Sequence, residues 1–179
     1  SRMRKMGVGD GHTVVIYDGY GIFSAARLWW LFRLFGQRAA VLDGGLPKWR
    51  AEGRLVTSDL PNIRDRHMTV TRNPDLMRDV TQVAQAAKLG HAQIVDARAA
   101  PRFRGDEAEP RAGLRAGHIP GSKNVPWKTL FAADGTMKDG ADLAQVFIAA
   151  GVDLDKPVIT SCGSGVTAAI VNLGLTRLG

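Results

Sequence analysis

The sequence predicts an α/β fold in which short parallel strands alternate with helices. Three observations predict it: β-branched runs that end in glycines, apolar stretches directly after those glycines, and a repetition of this unit at a fixed distance. Short β-branched runs suit the strands of parallel sheets, which are buried on both faces. The chain of 179 residues is 45% apolar, enough for a core in one large or two small domains.

The first strand–turn–helix unit lies near the start of the chain. Residues 13–17, TVVIY, predict a strand, and the turn DGYG follows it. Residues 24–35 are apolar on all sides, which is typical of a helix packed on a sheet. A second strand is predicted at 39–43 and a short helix at 44–50.

The second unit repeats the first near the end of the chain. A strand predicted at 157–161 runs into CGSG and then into a helix over 167–178. Aligning Asp18 with Cys162, an offset of 144 residues, brings glycines and an alanine into register: Gly19 with Gly163, Gly21 with Gly165, and Ala25 with Ala169. A fixed offset of this kind indicates internal duplication.

The surroundings of the two copies predict two domains. The first copy is followed by a strand and a helix that have no counterpart after the second, whereas a long stretch with a strand at 93–96 precedes the second. We expect residues 1–53 to be the C-terminal part of a first domain truncated at its start. Residues 75–179 are expected to form a second domain lacking its last strand and helix. Residues 54–74, without periodicity, are the predicted linker.

The net charge of +7 does not predict a nucleic-acid partner, because the basic residues are scattered and match no binding signature. A field that attracts small anions accounts for the charge equally well. The longest apolar run, 28–35, is too short to cross a bilayer, so no membrane partner is expected. A single cysteine and no visible signal peptide favour a reducing, cytoplasmic setting.

The single cysteine lies in the loop TSCGSGVTAA, residues 160–169. A strand that runs through glycines into a helix N-terminus directs several backbone N–H groups to one point. Such donors favour negative charge, so Cys162 is expected to be a reactive thiolate with a pKa below the free-thiol value of about 8.5. The alternative is an inert buried thiol, which the small residues around Cys162 disfavour.

Three loop types compete for this pattern. A nucleotide-binding Walker loop needs a Gly-Lys-Ser/Thr sequence, which is absent here. A cysteine-dependent phosphatase loop needs an arginine six residues after the cysteine, where this chain has Ala168. The third type is the rhodanese loop, in which six residues that begin with cysteine curl around a persulfide.

The residues CGSGVTAA resemble the active loop of the 3-mercaptopyruvate sulfurtransferases, which belong to the tandem-rhodanese family. The stretches YDGYGIFSAARLWWLFRLFG and VLDGGLPKW resemble the catalytically silent first domain of that family. The stretch VDARAAPRFRGDEAEPRAGLRAGHIPGSKNVP resembles the beginning of the active second domain. The resemblance implies two rhodanese-like α/β domains, each a parallel sheet flanked by helices, with Asp18 at the position of the missing cysteine.

The resemblance implies sulfur transfer by Cys162. In the family, the thiolate takes the sulfur of 3-mercaptopyruvate as a persulfide, releases pyruvate and passes the sulfur to cyanide or to a thiol, such as that of a thioredoxin-like protein. No cofactor and no metal ion is expected. Thiosulfate-using members tend to carry basic residues after the cysteine, where Gly163 and Ser164 stand here. A thiosulfate sulfurtransferase and a non-enzymatic binding module remain alternatives.

The resemblance also implies the substrate-binding residues. Arg102 in PRF and Arg111 in EPR match the arginines that bind the donor carboxylate, and a guanidinium suits a carboxylate bidentately. The alternative for either arginine is an ion pair with a loop carboxylate, namely Asp106, Glu107 or Glu109. The remaining expected binding residues belong to the loop itself: Gly163, Ser164, Gly165, Val166 and Thr167.

A few other polar residues are expected to have structural roles. His118 in GHIPGS is predicted to anchor a turn by a hydrogen bond, and Asp96 and Arg98 to form a pair at a strand end. Glu107 and Glu109 are predicted to lie in a solvent-exposed loop. The histidines show no metal-ligand spacing with one another or with the cysteine.

Overall fold

A computed structural model describes residues 2–179 and divides the chain into two compact units, Ser1–Met77 and Arg78–Gly179. Each unit contains a sheet whose strands are all parallel. Helices pack against each sheet, as the sequence predicts. None of the helices described over residues 2–179 is long and apolar enough to cross a membrane.

The first unit is built around a parallel pair of strands. Its helices and strands are, in chain order, α1 (Arg2–Lys5), β1 (Thr13–Ile16), α2 (Ala25–Leu34), β2 (Arg38–Val41) and α3 (Gly45–Ala51). Val15 of β1 lies opposite Ala40 of β2. Helix α2 connects the two strands and packs against both, with Ala26 and Trp29 buried. The predicted strand–turn–helix–strand order is therefore present.

Two successive glycines begin α3 because the chain passes very close to the turn after β1. Gly45 has a φ of +58°, and a Cβ built on it would collide with the carbonyl oxygen of Gly21. The N–H of Leu46 then donates to the carbonyl of Asp18 at 3.1 Å. Only glycine tolerates both the positive φ and the close approach.

The segment 54–73 contains neither helix nor strand and lies in the first unit. Its last part is attached to the end of α2, where Thr71 and Asn73 donate their N–H groups to Phe35 at 3.3 Å and Leu34 at 2.8 Å. A single turn of 3₁₀ helix, Pro74–Leu76, follows. The domain boundaries at residues 53 and 75 stay a prediction.

The second unit has three parallel strands in the order β4-β3-β5. Its helices and strands are α4 (Val80–Leu89), β3 (Gln93–Asp96), α5 (Ala100–Arg104), β4 (Lys123–Asn124), α6 (Gly140–Ala149), β5 (Val158–Ser161) and α7 (Val166–Leu178). At the carboxyl edge of the sheet, Asp96 lies opposite both Asn124 and Ser161. Ligand sites of open parallel sheets lie at this edge.

The core of the second unit lies between α6, α7 and the 3₁₀ turn Trp127–Leu130. Its largest fully buried side chains are Phe147, Leu130, Leu143, Ile170, Val95, Val125 and Val171. Burying one such side chain contributes about 1.5–3 kcal/mol. Gly174 of α7 faces this cluster, where a Cβ built on it would lie 3.5 Å from side-chain atoms of Leu130 and Phe147. This packing fixes the helix whose first turn follows the cysteine.

Candidate active site

Cys162 lies between the end of β5 and the start of α7. Its Sγ accepts hydrogen bonds from the N–H of Gly165 at 3.0 Å and of Ala168 at 3.4 Å. Gly165 is the N-cap of α7 and has a φ of 81°, a conformation that favours glycine. Gly165, three residues after the cysteine, therefore allows the chain to fold back, so that the first N–H groups of the helix face the sulfur.

Burial and hydrogen bonding act in opposite directions on the Cys162 thiol. Burial, the largest single influence, raises its pKa. The Thr167 side chain and the N–H groups of Ala168, Ser164 and Gly165 together outweigh burial and lower the pKa below the ordinary value. A lowered pKa increases the thiolate fraction at neutral pH. Thr167, an expected substrate-binding residue, therefore also helps to lower the pKa of the Cys162 thiol.

The duplicated loop of the first unit holds a carboxylate in the same arrangement. Asp18 Oδ2 accepts from the N–H groups of Ser24 at 2.8 Å and Ala25 at 2.9 Å, at the start of α2. The offset that aligns Asp18 with Cys162 also aligns Ser24 with Ala168, so one equivalent N–H group donates in both loops. In each loop, N–H groups at the start of a helix donate to one side-chain atom. That atom is a carboxylate oxygen of Asp18 in the first loop and the sulfur of Cys162 in the second.

We expect Asp18→Ala to lower the free energy of unfolding of the protein by about 1 kcal/mol, the usual cost of losing a side-chain cap. The reason is that the N–H groups of Ser24 and Ala25 lose their acceptor at the positive end of α2. Urea denaturation followed by circular dichroism measures the change. Asp65→Ala, which removes an exposed carboxylate of the same unit, is the control. Equal stability of the two variants would contradict the capping role.

The two predicted carboxylate-binding arginines both lie beside Gly163. The Nη2 of Arg111 donates to the Gly163 carbonyl at 3.2 Å. The Nη2 of Arg102, on α5, lies 3.2 Å from the position that a Cβ on Gly163 would occupy. The structure thus brings both guanidinium groups to the residue after Cys162. A side chain at Gly163 would compete with Arg102 for this space.

Glu109 connects two of the arginines, and the prediction that it lies in a solvent-exposed loop is wrong. Its side chain is only 5% exposed, because it pairs with Arg98 Nη1 at 2.6 Å and with Arg102 Nη2 at 2.5 Å. Arg102 therefore forms an ion pair with a loop carboxylate, the alternative that the sequence left open, and its partner is Glu109. Arg98 in turn binds Asp96 at 2.6 Å, the pair predicted at the strand end. Glu107 is exposed, as predicted.

The pKa of Glu109 is lowered, first by its hydrogen bond with Arg102 and then by Arg98, although burial opposes the shift. A carboxyl group with a lowered folded-state pKa stabilises the fold above its unfolded value of about 4.3 and loses that contribution as the pH falls through the folded value. We therefore expect wild type to be more stable than Glu109→Gln at pH 7, with a gap that narrows below about pH 4.

Urea denaturation of both proteins between pH 7 and pH 3 tests this expectation for Glu109. Glu107→Gln, an exposed neighbour in the same loop, is the matched control and should show no comparable gap. If the difference between wild type and Glu109→Gln stays constant across this pH range, the pairing does not stabilise the fold.

A cavity of about 660 Å³ opens beside the cysteine. Its lining includes Cys162 and Gly163 from the loop and residues 114–120 from the chain before β4. His118 lines it and is anchored as predicted, because its Nδ1 lies 2.7 Å from the Phe103 carbonyl and its ring stacks on Phe103. Since a carbonyl only accepts, the Nδ1 atom carries the proton in this hydrogen bond.

The remaining expected site residues occupy the loop and the first turn of α7. Ser164 is exposed, and Val166, the first residue of α7, is half-buried. Within residues 2–179, no group of three or more His, Cys, Asp or Glu side chains is placed to hold a metal ion. The site therefore consists of one sulfur, a set of backbone and hydroxyl donors, and nearby arginines.

Parallel sheets flanked by helices, with a cysteine sulfur held by helix N–H groups at a strand end, define an α/β protein of the reactive-cysteine class. The chain belongs to the rhodanese family: the family model described as the rhodanese-like domain matches residues 1–52 and 79–179. The two matched segments agree with the tandem arrangement that the sequence predicts.

Relatives support this membership. The chain is 42% identical to the 3-mercaptopyruvate sulfurtransferase of Escherichia coli (strain K12), over 98% of the chain and 63% of that protein. It is 39% identical to the mitochondrial thiosulfate/3-mercaptopyruvate sulfurtransferase 1 of Arabidopsis thaliana, over 97% of the chain and 52% of that protein. The crystal structure of SseA from Escherichia coli, described as a 3-mercaptopyruvate sulfotransferase, matches with a TM-score of 0.87 and 40% identity, over 99% of the chain and 66% of that chain. The chain thus spans between half and two thirds of the length of these relatives.

Proposed function

We propose that this protein transfers sulfur from 3-mercaptopyruvate, through a persulfide on Cys162, to a thiol or cyanide acceptor, with release of pyruvate. The observation that carries the proposal is the hydrogen bonding of Sγ to the N–H groups of Gly165 and Ala168, because it stabilises a sulfur anion. The names of the relatives from Escherichia coli and Arabidopsis thaliana support the same donor.

The first half of the reaction loads the sulfur. The Cys162 thiolate attacks the sulfur atom of the donor, and an S–S bond forms while the donor C–S bond breaks. The electron pair of the C–S bond passes to the donor carbon, and the neighbouring ketone takes up the charge as an enolate. The proton of the donor thiol, relayed through water, converts the enolate to pyruvate. The sulfur that stays on Cys162 is a persulfide, whose negative charge the loop N–H groups stabilise.

The donor is positioned through its carboxylate and its ketone. Arg102 and Arg111 beside Gly163 hold the carboxylate, since guanidinium groups bind carboxylates in charge-assisted pairs. The exposed Ser164 hydroxyl is available to the ketone oxygen. Gly165, Val166 and Thr167 complete the donor site by shaping the loop and the first turn of α7.

Thiosulfate is the second candidate donor. The relative from Arabidopsis thaliana is named for both donors, so thiosulfate is retained as a second candidate. The residues after the cysteine favour 3-mercaptopyruvate, because Gly163 and Ser164 add no charge for a compact dianion. A non-enzymatic binding module is disfavoured by a cysteine whose pKa is lowered, since an inert module has no need of a thiolate.

The proposed partners are a small anionic sulfur donor and a thiol acceptor, for which a thioredoxin-like protein is one candidate. A working thiol needs a reducing setting, so we place the activity in the cytoplasm. Nucleic acid and membrane are not among the proposed partners, because the basic residues are dispersed along the chain.

The mass of the intact protein after incubation with each donor tests the proposal. We expect 3-mercaptopyruvate to add one sulfur atom at Cys162 and to release one pyruvate for each persulfide formed. Thiosulfate should add the same mass more slowly and release sulfite. Faster loading from thiosulfate would make it the donor, and no added sulfur from either compound would refute sulfur transfer.

A further inference from the structure

We propose that Arg115 determines the choice of sulfur acceptor by binding a carboxylate of a small, peptide-sized thiol in the cavity beside Cys162. This inference rests on the proposed function and concerns its second half, in which the persulfide is discharged. Neither the family match nor the names of the relatives assigns a role to this residue.

The size of the cavity exceeds what the donor needs. A volume of about 660 Å³ lies in the range of pockets for drug-sized ligands. A three-carbon keto acid fills a small part of it. Arg102 and Arg111, which hold the donor carboxylate in the proposed function, adjoin Gly163 but lie outside the described lining of the cavity. The cavity is therefore left for a larger second substrate that also reaches the sulfur.

Among the charged lining residues of the cavity, one cation has no partner within the part of the chain that the structure describes. Arg98 and Glu109 line the cavity but neutralise one another, and Arg98 also binds Asp96. Arg115 lines the same cavity and is exposed. Across residues 2–179, the structure contains no ion pair or side-chain hydrogen bond for Arg115. Since a guanidinium is always charged and matches a carboxylate bidentately, Arg115 provides a site for an acidic group.

The other side chains near Arg115 suit the aliphatic part of such a ligand. Leu114 is 53% exposed although it is apolar, and it lines the cavity together with Ile119 and Pro120. An acceptor with carboxylates at its ends and a thiol between them would place its acid on Arg115, its aliphatic part on these residues and its sulfur near Cys162. A peptide thiol has this chemistry.

The transfer itself needs no further reactant. The acceptor thiolate attacks the outer sulfur of the Cys162 persulfide, and a new S–S bond forms on the acceptor. The S–S bond of the enzyme breaks, and its electron pair stays on Sγ, which returns to the thiolate that the loop N–H groups stabilise. The proton of the acceptor thiol passes to the outer sulfur of the persulfide before the attack and stays on that sulfur in the acceptor persulfide. Atoms and charge therefore balance, and no external oxidant or reductant is consumed.

The test measures the discharge of preformed persulfide in wild type and in Arg115→Glu. The probes are the tripeptide glutathione, its diethyl ester, in which both carboxylates are neutral, and 2-mercaptoethanol. Lys88→Glu, an exposed position in the last turn of α4 outside the cavity, is the matched control for net charge. We expect Arg115→Glu to slow discharge by glutathione on the order of tenfold, more at low salt, and to leave the ester, 2-mercaptoethanol and donor loading within about twofold.

Three outcomes would overturn the inference. Equal discharge by glutathione in Arg115→Glu and Lys88→Glu would show that no carboxylate binds Arg115. Equal slowing with glutathione and its ester would show that Arg115 does not act by recognising a carboxylate. Slower loading by 3-mercaptopyruvate would place Arg115 in the donor site. Failure of wild type to load any sulfur refutes the proposed function instead, so the two failures are distinguishable.

Discussion

Cys162→Ser is expected to abolish persulfide formation and to lower sulfur transfer from 3-mercaptopyruvate by at least about 10³-fold. A serine hydroxyl is not ionised near neutral pH, and an oxygen nucleophile cannot store a sulfane sulfur as a persulfide. The position is the one described thiol of the chain, so no other residue is placed to take over the step. Pyruvate release and intact mass, measured on the same sample, report the loss.

The control for Cys162→Ser is a measurement of the stability of the variant. The serine hydroxyl still offers an acceptor to the N–H groups of Gly165 and Ala168, so the free energy of unfolding should change little. If the variant keeps full pyruvate release while it remains folded, the sulfur does not pass through Cys162 and the protein acts by another route.

Arg102→Ala is expected to lower kcat/KM for 3-mercaptopyruvate by roughly 10- to 150-fold, the equivalent of about 1.5–3 kcal/mol for a hydrogen bond to a charged group. The loss should appear mainly in KM, because the carboxylate is bound before and during the reaction. Arg102→Glu would cost more, but it would also set a second carboxylate against the nearly buried Glu109. Alanine is therefore the cleaner test.

Arg104→Ala is the control for Arg102→Ala, because Arg104 lies on the same helix, is exposed and pairs with Asp106. It should change kcat/KM by less than about twofold. An unchanged KM in Arg102→Ala would remove Arg102 from the donor site and leave its pairing with Glu109 as its whole role.

The duplicated units could be predicted from the sequence because their signals are local. A β-branched run, a glycine turn and an apolar helix each depend on neighbouring residues, and β1, α2, β5 and α7 lie within one or two residues of the predicted bounds. The cysteine loop was predictable for the same reason, since the conformation of Gly165 and the first N–H groups of α7 follow from a strand that enters a helix.

Helices α4 and α6 were not predicted, although α4 carries recognisable signals. Asp79 and Gln82 form a capping box at its start, and Gly90 ends it in the left-handed conformation. Local signals of this kind do not show how far a helix is buried, and along α4 only Ala86 is fully buried.

The Asp96–Arg98 pair could be predicted from the sequence, but the choice of Glu109 among the loop carboxylates as the shared partner of Arg98 and Arg102 could not. Glu109 lies in a loop with several charges, and local composition indicates a solvated position. Only the tertiary structure brings Arg98 from the end of β3 and Arg102 from α5 to the same carboxylate. For the same reason, sequence alone does not distinguish Arg115, which has no partner in the described structure, from the arginines that are neutralised.

The most direct test of the account is the rate of alkylation of Cys162 by iodoacetamide as a function of pH. Only the thiolate reacts, so the rate rises with pH through the pKa of the thiol. If backbone and hydroxyl donors hold the sulfur ionised against the effect of burial, the midpoint lies below the free-thiol value of about 8.5. A midpoint at or above that value would contradict the proposal that the loop stabilises a sulfur anion.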